Sequence, residues 1–308
     1  QRQKREAAIA LAKLAPIDAF PILSSQLNLA HLTRESFAAA LGFIPTTESV
    51  QTLAGFTKHA NSTLHRVSLE SIISAAKQAH KDSSLTQYAK PVLANAVVSK
   101  DVALVSNAAS ALADPAFADD QSASLLLRAM QLLKNLKDTE ALTSVIQALG
   151  DLKASSAVAP LESELNNRDH TVAAEAAKAL KKITTKSYDH LLKPHPKPAH
   201  VNWKLLESVR KNPTVRVQTT QGVFSFTMLP DESPFTCVNF AQLMRNNFFD
   251  SLLFHRVVPG FVIQGGDPRG DGWGGPGYAI RSEFGFEHYE PGMVGVASSG
   301  KDTEGCQW

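Results

Sequence analysis

The sequence predicts a multidomain protein, with an all-α solenoid of helix pairs followed by an all-β domain that carries short helices. Three observations lead to this fold class. Alanine-rich amphipathic segments recur through the N-terminal half, glycine and aromatic residues become frequent from Val215 onward, and apolar and polar residues alternate there with the period of β-strands. We therefore divide the chain into a helical repeat domain at 1–186, a Pro-rich linker with a short helix at 187–213, and a second domain at 214–308.

The N-terminal segments share one spacing. Each has apolar residues three or four positions apart, as in "RESFAAALGFI" and "HTVAAEAAKALKKI", and this spacing is typical of amphipathic helices. Equivalent positions at Leu41, Ile73, Leu112, Leu149 and Leu180 give intervals of 32, 39, 37 and 31 residues. A period of this length containing two helices indicates an α-solenoid of about five repeats, and the segments resemble HEAT-like repeats. An irregular helical bundle is the alternative. Because solenoids usually offer an extended surface, we expect a protein partner or client on this domain.

Composition excludes several classes of partner. The 31 Lys and Arg against 29 Asp and Glu leave a net charge of +2, which does not favour a nucleic-acid partner. No run reaches the roughly 18 apolar residues of a membrane span. Cys237 and Cys306 are far apart in the sequence, so we expect neither a metal site nor a disulfide framework. The chain does not begin with methionine, so we expect the native N-terminus to be absent, and the compartment stays open.

The linker has its own composition. Pro194, Pro196 and Pro198 alternate with other residues in "KPHPKPAH", which favours an extended polyproline spacer. A docking peptide for an aromatic groove is the alternative. Histidines also recur in this stretch, but no acidic or cysteine partners stand at ligand spacing, so we interpret them as linker residues.

The second domain begins with a β-hairpin pattern, "VRVQTT" and "VFSFTML" around a Gln-Gly turn. A helix should follow, with Ser233 as its N-cap and Pro234 at its first position. Two further strands, "LLFHRVV" and "FVIQGG", are joined at Pro259-Gly260. Alternation then places Val262 and Gln264 on one face of the second of these strands.

An arginine on the preceding strand needs a partner. Alternation places Phe254, Arg256 and Val258 on one face, and a guanidinium among apolar side chains has to reach a polar group or an open site. One possibility is a structural salt bridge to Asp267 or Glu283. The other is a functional site. The glycine-rich run "GGDPRGDGWGGPGY" that follows lacks both the GKS/T ending and the helix-opening GxGxxG of nucleotide loops.

The run "FHRVVPGFVIQGGDPRGDGWGGPGY", followed by "GMVGVASSGKDTEGCQW", resembles the cyclophilin-type peptidyl-prolyl isomerases over Val215 to Trp308. The resemblance implies a cyclophilin-like antiparallel barrel with an apolar groove that accepts X-Pro segments of peptides or client proteins. It also implies isomerisation of the X-Pro bond. Because no bond is made or broken, a catalyst needs only to bind the twisted amide better than either planar form, and we expect no cofactor.

The resemblance also assigns roles to residues. Arg256 would donate a hydrogen bond to the prolyl nitrogen as the amide twists, and Gln264 would align the substrate backbone or the arginine. Five further residues match groove positions that bind substrate: Phe261 and Val262 at the proline pocket, Ala297 and Ser298 beside the residues before proline, and Gln307 elsewhere in the groove.

The sequence departs from the family in three places. Val262 stands where methionine is frequent, and Ser298 where asparagine is frequent. Trp308 takes the place of the first aromatic residue of the family's usual Gln-Phe-Phe run, and nothing in this sequence matches the later pocket residues or the last barrel strands. We therefore expect a barrel that is incomplete at the C-terminus, in a truncated sequence whose domain arrangement resembles bacterial proteins. A non-catalytic adaptor that binds proline-containing segments is the alternative to an enzyme.

Overall fold

The computed structural model describes residues 2–58, 62–79, 83–134, 139–167, 169–192, 202–211, 213–258, 261–285 and 288–308. The chain forms two compact units, Gln1–Lys193 and Pro194–Trp308. The helices are α1 (Arg2–Leu14), α2 (Pro16–Asn28), α3 (Arg34–Leu41), α4 (Thr47–Phe56), α5 (Ser62–Gln78), α6 (Ser83–Val97), α7 (Val102–Ala113), α8 (Ser122–Leu133), α9 (Glu140–Asp151), α10 (Val158–Glu164), α11 (His170–Thr184), α12 (Trp203–Lys211) and α13 (Pro234–Arg245). The strands are β1 (Thr214–Thr219), β2 (Gly222–Thr227), β3 (Arg256–Val258) and β4 (Val262–Gln264).

The helices of the first unit form two layers. Helices α1, α3, α5, α7, α9 and α11 pack on one another in chain order, and α4, α6 and α8 form the second layer, each also packing on the odd-numbered helices before and after it. From α3 to α9, consecutive helices therefore pack on each other, and so do helices two positions apart. This order of contacts is consistent with helical repeats, as predicted from the spacing of the segments.

Two glycines show which positions are equivalent between repeats. A Cβ on Gly42, directly after α3, would lie 3.0 Å from Ser71 of α5, and a Cβ on Gly150 of α9 would lie 2.8 Å from the Cα of Ala179 of α11. Each glycine directly follows a buried leucine, Leu41 or Leu149, so the two glycines occupy equivalent positions. Ser71 and Ala179, which they contact, are then equivalent as well, and so are the residues that follow them. In α5 this residue is Ile72, which is fully buried. The predicted equivalence of Ile73 is wrong by one residue, since Ile73 is only half-buried.

Side chains close the helix ends and link adjacent repeats. Thr33 accepts from the backbone N–H of Ser36 at 3.2 Å, and Asp101 accepts from Leu104 at 3.1 Å, so both act as N-caps. Lys77 of α5 pairs with Asp114 after α7 at 2.6 Å. These polar contacts fix the register of helices whose apolar faces alone would allow sliding.

The second unit is built around one apolar cluster. Strands β1 and β2 form the predicted antiparallel hairpin, with Val215 opposite Phe226. Leu205 and Val209 of α12 pack with Val215 and with Phe240 of α13 in the same buried cluster. The short helix of the predicted linker is thus part of the hydrophobic core of this unit, whereas the alternating prolines lie outside the described residues.

Trp308 joins the same cluster. Its ring centroid lies 5.7 to 6.4 Å from those of four phenylalanines, Phe226, Phe240, Phe249 and Phe254, which is the spacing at which aromatic pairs attract. Its backbone exchanges two hydrogen bonds with Gly265, at 2.8 and 3.1 Å. The C-terminal residues are therefore tied to the end of β4.

The predicted barrel is not confirmed. Within the described residues the strands form two separate two-stranded sheets, β1 with β2 and β3 with β4, and neither closes. Other segments pair through single contacts, such as the bridge between Ile280 and Glu304. Strands of three residues with isolated bridges cannot supply the continuous ladder of hydrogen bonds that closure of a barrel requires.

Candidate active site

The β3–β4 hairpin places Arg256 directly opposite Gln264. The two residues form the first pair of the antiparallel register, and paired residues in such a ladder have side chains on the same face. The guanidinium of Arg256 donates from Nη1 to Oε1 of Gln264 at 3.1 Å. The sequence predicted both strands, at greater length than the three residues observed in each, but not that Arg256 and Gln264 share a face. The joining residues Pro259 and Gly260 lie outside the described residues.

A second glutamine continues the contact. Nε2 of Gln264 donates to Oε1 of Gln307 at 2.9 Å. Nε2 of Gln307 in turn donates to the backbone carbonyls of Gly272 at 3.0 Å and Gly274 at 2.7 Å. Four side-chain hydrogen bonds thus connect the guanidinium of Arg256 to the backbone of the glycine-rich run, and we call this series the amide relay.

The glycine-rich run is organised by the buried carboxylate of Asp267, which is 1% exposed. This carboxylate accepts hydrogen bonds from the backbone N–H groups of Arg269 at 2.8 Å, Asp271 at 2.9 Å and Gly272. A Cβ on Gly274 would collide with Oδ1 of Asp267, so the loop closes around the carboxylate only because glycine stands there. We call residues 267–274 the glycine loop.

The structure answers whether Arg256 belongs to a structural salt bridge. Asp267 is occupied by the loop backbone, and Glu283 accepts from the backbone N–H groups of Phe235 at 3.0 Å and Thr236 at 2.7 Å. Arg256 takes part in none of the ion pairs formed by the described residues. It is exposed.

Glu283 also corrects the predicted N-cap of α13. Ser233 stands at the cap position but makes no side-chain capping bond. The carboxylate of Glu283 instead satisfies two of the free N–H groups of the first turn, where its charge also suits the helix dipole. A cap from a residue so distant in sequence leaves no local signal.

Ala297 and Ser298 lie next to the amide relay. The backbone N–H of Ala297 donates to the carbonyl of Gln307 at 2.9 Å, which ties the segment assigned to substrate binding to the relay. Ser298 follows and is exposed. The structure therefore brings together four of the seven residues singled out from the sequence, namely Arg256, Gln264, Ala297 and Gln307.

Phe261 and Val262 take a more open position. Val262 pairs with Val258 in the hairpin and is half-buried. Phe261 donates its backbone N–H to the carbonyl of Val258 at 3.1 Å, but its side chain is 79% exposed. The apolar residues assigned to the proline pocket thus stand on the same hairpin as Arg256, without an enclosing wall among the described residues.

Burial favours the protonated form of both cysteine thiols of this unit. Burial, and secondarily the negative charge of Asp267, raise the pKa of the Cys306 thiol to about 12. Burial also raises the pKa of Cys237. Since the thiolate is the nucleophilic form of cysteine, neither thiol is suited to covalent catalysis, and the chemistry of this region is that of hydrogen-bond donors.

No group of three or more His, Cys, Asp or Glu residues is arranged to hold a metal ion within the described residues. None of the described helices has the length and apolar character that a membrane crossing needs. A surface cavity of about 640 Å³ is lined by residues such as Arg210, Met228 and Met293, and no residue of the amide relay lines it.

The C-terminal part of the chain is similar to known proteins. Residues 214–308 match the family model described as cyclophilin type peptidyl-prolyl cis-trans isomerase/CLD. Peptidyl-prolyl cis-trans isomerase B of Bacillus subtilis is 49% identical over 85 residues, which cover 27% of this chain and 59% of that protein. A peptidyl-prolyl cis-trans isomerase of Synechococcus elongatus is 39% identical over 92 residues, which cover 30% of this chain and 63% of that protein. The chain thus spans about six tenths of the length of these relatives.

Among solved structures, a designed armadillo repeat protein is 18% identical and matches 59% of this chain and 94% of its own, with a TM-score of 0.35. A similarity this low does not assign the helical unit to a repeat family. The chain therefore joins a helical region, whose stacked helices are consistent with helical repeats, to residues 214–308, which match the family model of the cyclophilin-type peptidyl-prolyl isomerases.

Proposed function

We propose that this protein is a peptidyl-prolyl cis-trans isomerase that acts on X-Pro bonds of peptides or client proteins. The observation that carries the proposal is the state of Arg256. Its guanidinium is exposed, it makes one hydrogen bond to Gln264 and it has no carboxylate partner among the described residues. An arginine held in this way can still donate to a substrate.

The reaction requires only such a donor. Rotation about an amide bond meets a barrier of about 18–20 kcal/mol because conjugation of the nitrogen lone pair is lost. As the X-Pro amide twists, the lone pair of the prolyl nitrogen becomes an acceptor, and a hydrogen bond from Arg256 would stabilise the twisted form more than either planar form. Gln264 would hold the guanidinium in place, since it accepts from Nη1.

The surrounding residues would bind the substrate. Phe261 and Val262, on the same hairpin as Arg256, would contact the proline ring. Ala297 and Ser298 would pair with the backbone before the proline, where Ala297 is already fixed through the carbonyl of Gln307. These roles rest on the sequence resemblance together with the position of each residue beside the amide relay.

The test is the rate of isomerisation of a prolyl peptide by the full-length protein. Arg256→Ala should lower kcat/KM by about 100-fold, which is the usual cost of removing one donor to a transition state. Arg216→Ala is a matched control, since Arg216 is an exposed arginine on β1, and it should leave the rate unchanged. Equal rates for wild type and Arg256→Ala would refute the enzyme proposal. Binding of the peptide without turnover by the wild type would instead support the adaptor.

We also propose that the helical unit binds a client or partner protein. Its support is the apolar surface at the junction of α1 and α2, where Leu14 is 86% exposed and Ile17 is 85% exposed. Leu14→Lys together with Ile17→Lys should slow catalysed refolding of a proline-limited protein and leave the rate on a short prolyl peptide unchanged. If both rates stay unchanged, these residues do not bind the client.

A further inference from the structure

In the amide relay, the donor and acceptor ends of both glutamine amides point in one defined direction, and the glycine loop determines which. We propose that the glycine loop sets which end of the Gln264 amide faces Arg256, and that Gln307 is the positioning residue through which it does so. The kinetic consequence of this inference rests on the proposed isomerase function. Its structural content concerns only the orientation of two amide groups.

The direction follows from donors and acceptors. A glutamine amide has a donor end and an acceptor end, whereas a backbone carbonyl only accepts. The carbonyls of Gly272 and Gly274 therefore require the Nε2 end of Gln307, and this turns Oε1 of Gln307 toward Gln264. Gln264 must then direct Nε2 to Gln307 and Oε1 to Arg256, as the distances of 2.9 and 3.1 Å show.

The opposite orientation would oppose the catalytic arrangement. A guanidinium has only donors, so a flipped Gln264 would place its NH₂ group against the guanidinium of Arg256. The arginine would then lose its acceptor and turn away. The carbonyls of two glycines thus determine that Gln264 holds Arg256 instead of repelling it.

Both ends of Gln307 are fixed. Gly272 donates its N–H to the buried carboxylate of Asp267 while its carbonyl accepts from Gln307. The backbone of Gln307 is held by the bond from Ala297, and that of Trp308 by the bonds with Gly265. Because the loop and the C-terminal segment are each anchored to other elements, Gln307 bridges two fixed points.

Gln307 has little left to offer a substrate. Both hydrogens of its amide are used by Gly272 and Gly274, and its oxygen accepts from Gln264. A direct role as a hydrogen-bond donor to the substrate would require one of these bonds to break. A positioning role uses them as they stand.

The kinetic test uses the full-length protein and a prolyl peptide. Gln307→Met keeps the length of the side chain but removes the amide, and kcat should fall about fivefold, the value of one hydrogen bond, with KM nearly unchanged. In Gln307→Glu, kcat should fall further, because both oxygens of the carboxylate are acceptors and would face two carbonyls that also only accept. Gln242→Met is the matched control, since Gln242 is exposed on α13 and bonds only to Asn246.

A double-mutant cycle separates positioning from direct binding. In an Arg256→Ala background, Gln307→Met should cause no further loss, because the relay then has nothing to position. Additive losses would overturn the inference, and so would a rise in KM with kcat unchanged. Both results would mean that Gln307 acts on the substrate without Arg256.

A spectroscopic measurement tests the relay independently of activity. In NMR spectra of the ¹⁵N-labelled protein, the side-chain NH₂ protons of Gln264 should exchange slowly with solvent, and about tenfold faster in Gln307→Met. Asp267→Asn should expose the NH₂ protons of Gln307 in the same way, provided that it folds. An unchanged Gln264 signal in Gln307→Met would overturn the inference. If the protein shows no isomerase activity but the Gln264 signal responds as expected, the amide relay stands and only the proposed function is refuted.

Discussion

Gly266, the second of the two residues between the end of β4 and the glycine loop, cannot be replaced by alanine without two separate energetic costs. Its φ is +82°, a region that costs an L-residue about 1–2 kcal/mol. In addition, a Cβ there would collide with the carbonyl oxygen of Cys306 and lie 2.7 Å from the ring of Trp308. We predict that Gly266→Ala destabilises the C-terminal unit through both terms.

The expected loss can be built from these terms. Overpacking of a tight contact costs about 1–3 kcal/mol. Alanine also lowers the conformational entropy of the unfolded chain, which stabilises the folded state by about 0.4–1 kcal/mol. The net loss in the free energy of unfolding should therefore be about 2–4 kcal/mol. The segment that must move carries Gln307 and Trp308, so the amide relay should loosen as well.

The assay is urea unfolding followed by tryptophan fluorescence. All three tryptophans of the chain, Trp203, Trp273 and Trp308, belong to the C-terminal unit, so the signal reports on that unit alone. Gly292→Ala isolates the backbone term, because Gly292 has φ +97° and open space around its Cβ position. Gly275→Ala has neither cost and should be close to neutral. A loss for Gly266→Ala no larger than that for Gly292→Ala would refute the contact argument.

Three further predictions concern pH and helix packing. Burial raises the pKa of Cys306 from 9.0 to about 12, so the thiol of the unfolded chain ionises at a lower pH than that of the folded chain. The free energy of unfolding should therefore fall as pH rises from 9 toward 12. In urea titrations, Cys306→Ser should reduce this fall. The hydrogen bond from Lys77 lowers the pKa of Asp114 below 3.8. The ionised carboxylate therefore stabilises the fold above that pH, and this stabilisation is lost as pH falls through the folded-state pKa. Asp114→Asn should make the loss of stability at acid pH less steep, as followed by far-UV circular dichroism. Gly150→Ala should destabilise the helical unit by about 1–3 kcal/mol in thermal unfolding, whereas Gly55→Ala, which meets nothing within 4 Å inside α4, should stabilise it by up to about 1 kcal/mol.

The sequence predicted the elements that depend on local pattern. The turn between β1 and β2 and the alternation in β3 and β4 are properties of a few neighbouring residues, and both strand pairs were found, whereas their registers came only from the structure. The helix pairs were also found, because their amphipathic period persists over many residues. The shift from Ile73 to Ile72 in α5 arose because both positions are apolar in sequence, and the structure distinguishes them by the close approach of Gly42 to Ser71 and by their burial.

The parts that were not predicted depend on distant residues. The partners of Asp267 and Glu283 are backbone N–H groups, and these carry no residue-type signal that would mark them as partners. Gln307 was recognised by resemblance as a groove residue, but its bonds to Gly272 and Gly274 span 35 and 33 positions. The open sheets likewise could not be judged from strand patterns, since pairing between strands is set by the whole fold.

The glycine loop presents main-chain carbonyls to Gln307, and main-chain groups are the same whatever side chains the loop carries. The exposed residue Pro268 can therefore vary while the loop keeps its hold on the glutamine, provided that the conformation imposed by Asp267 is retained. Substitutions in this loop that change its shape by fractions of an ångström would change the position of Arg256 through the amide relay, without altering a residue assigned to substrate binding. The loop is thus a place where the proposed isomerase could be adjusted by design while every residue assigned to substrate contact remains unchanged.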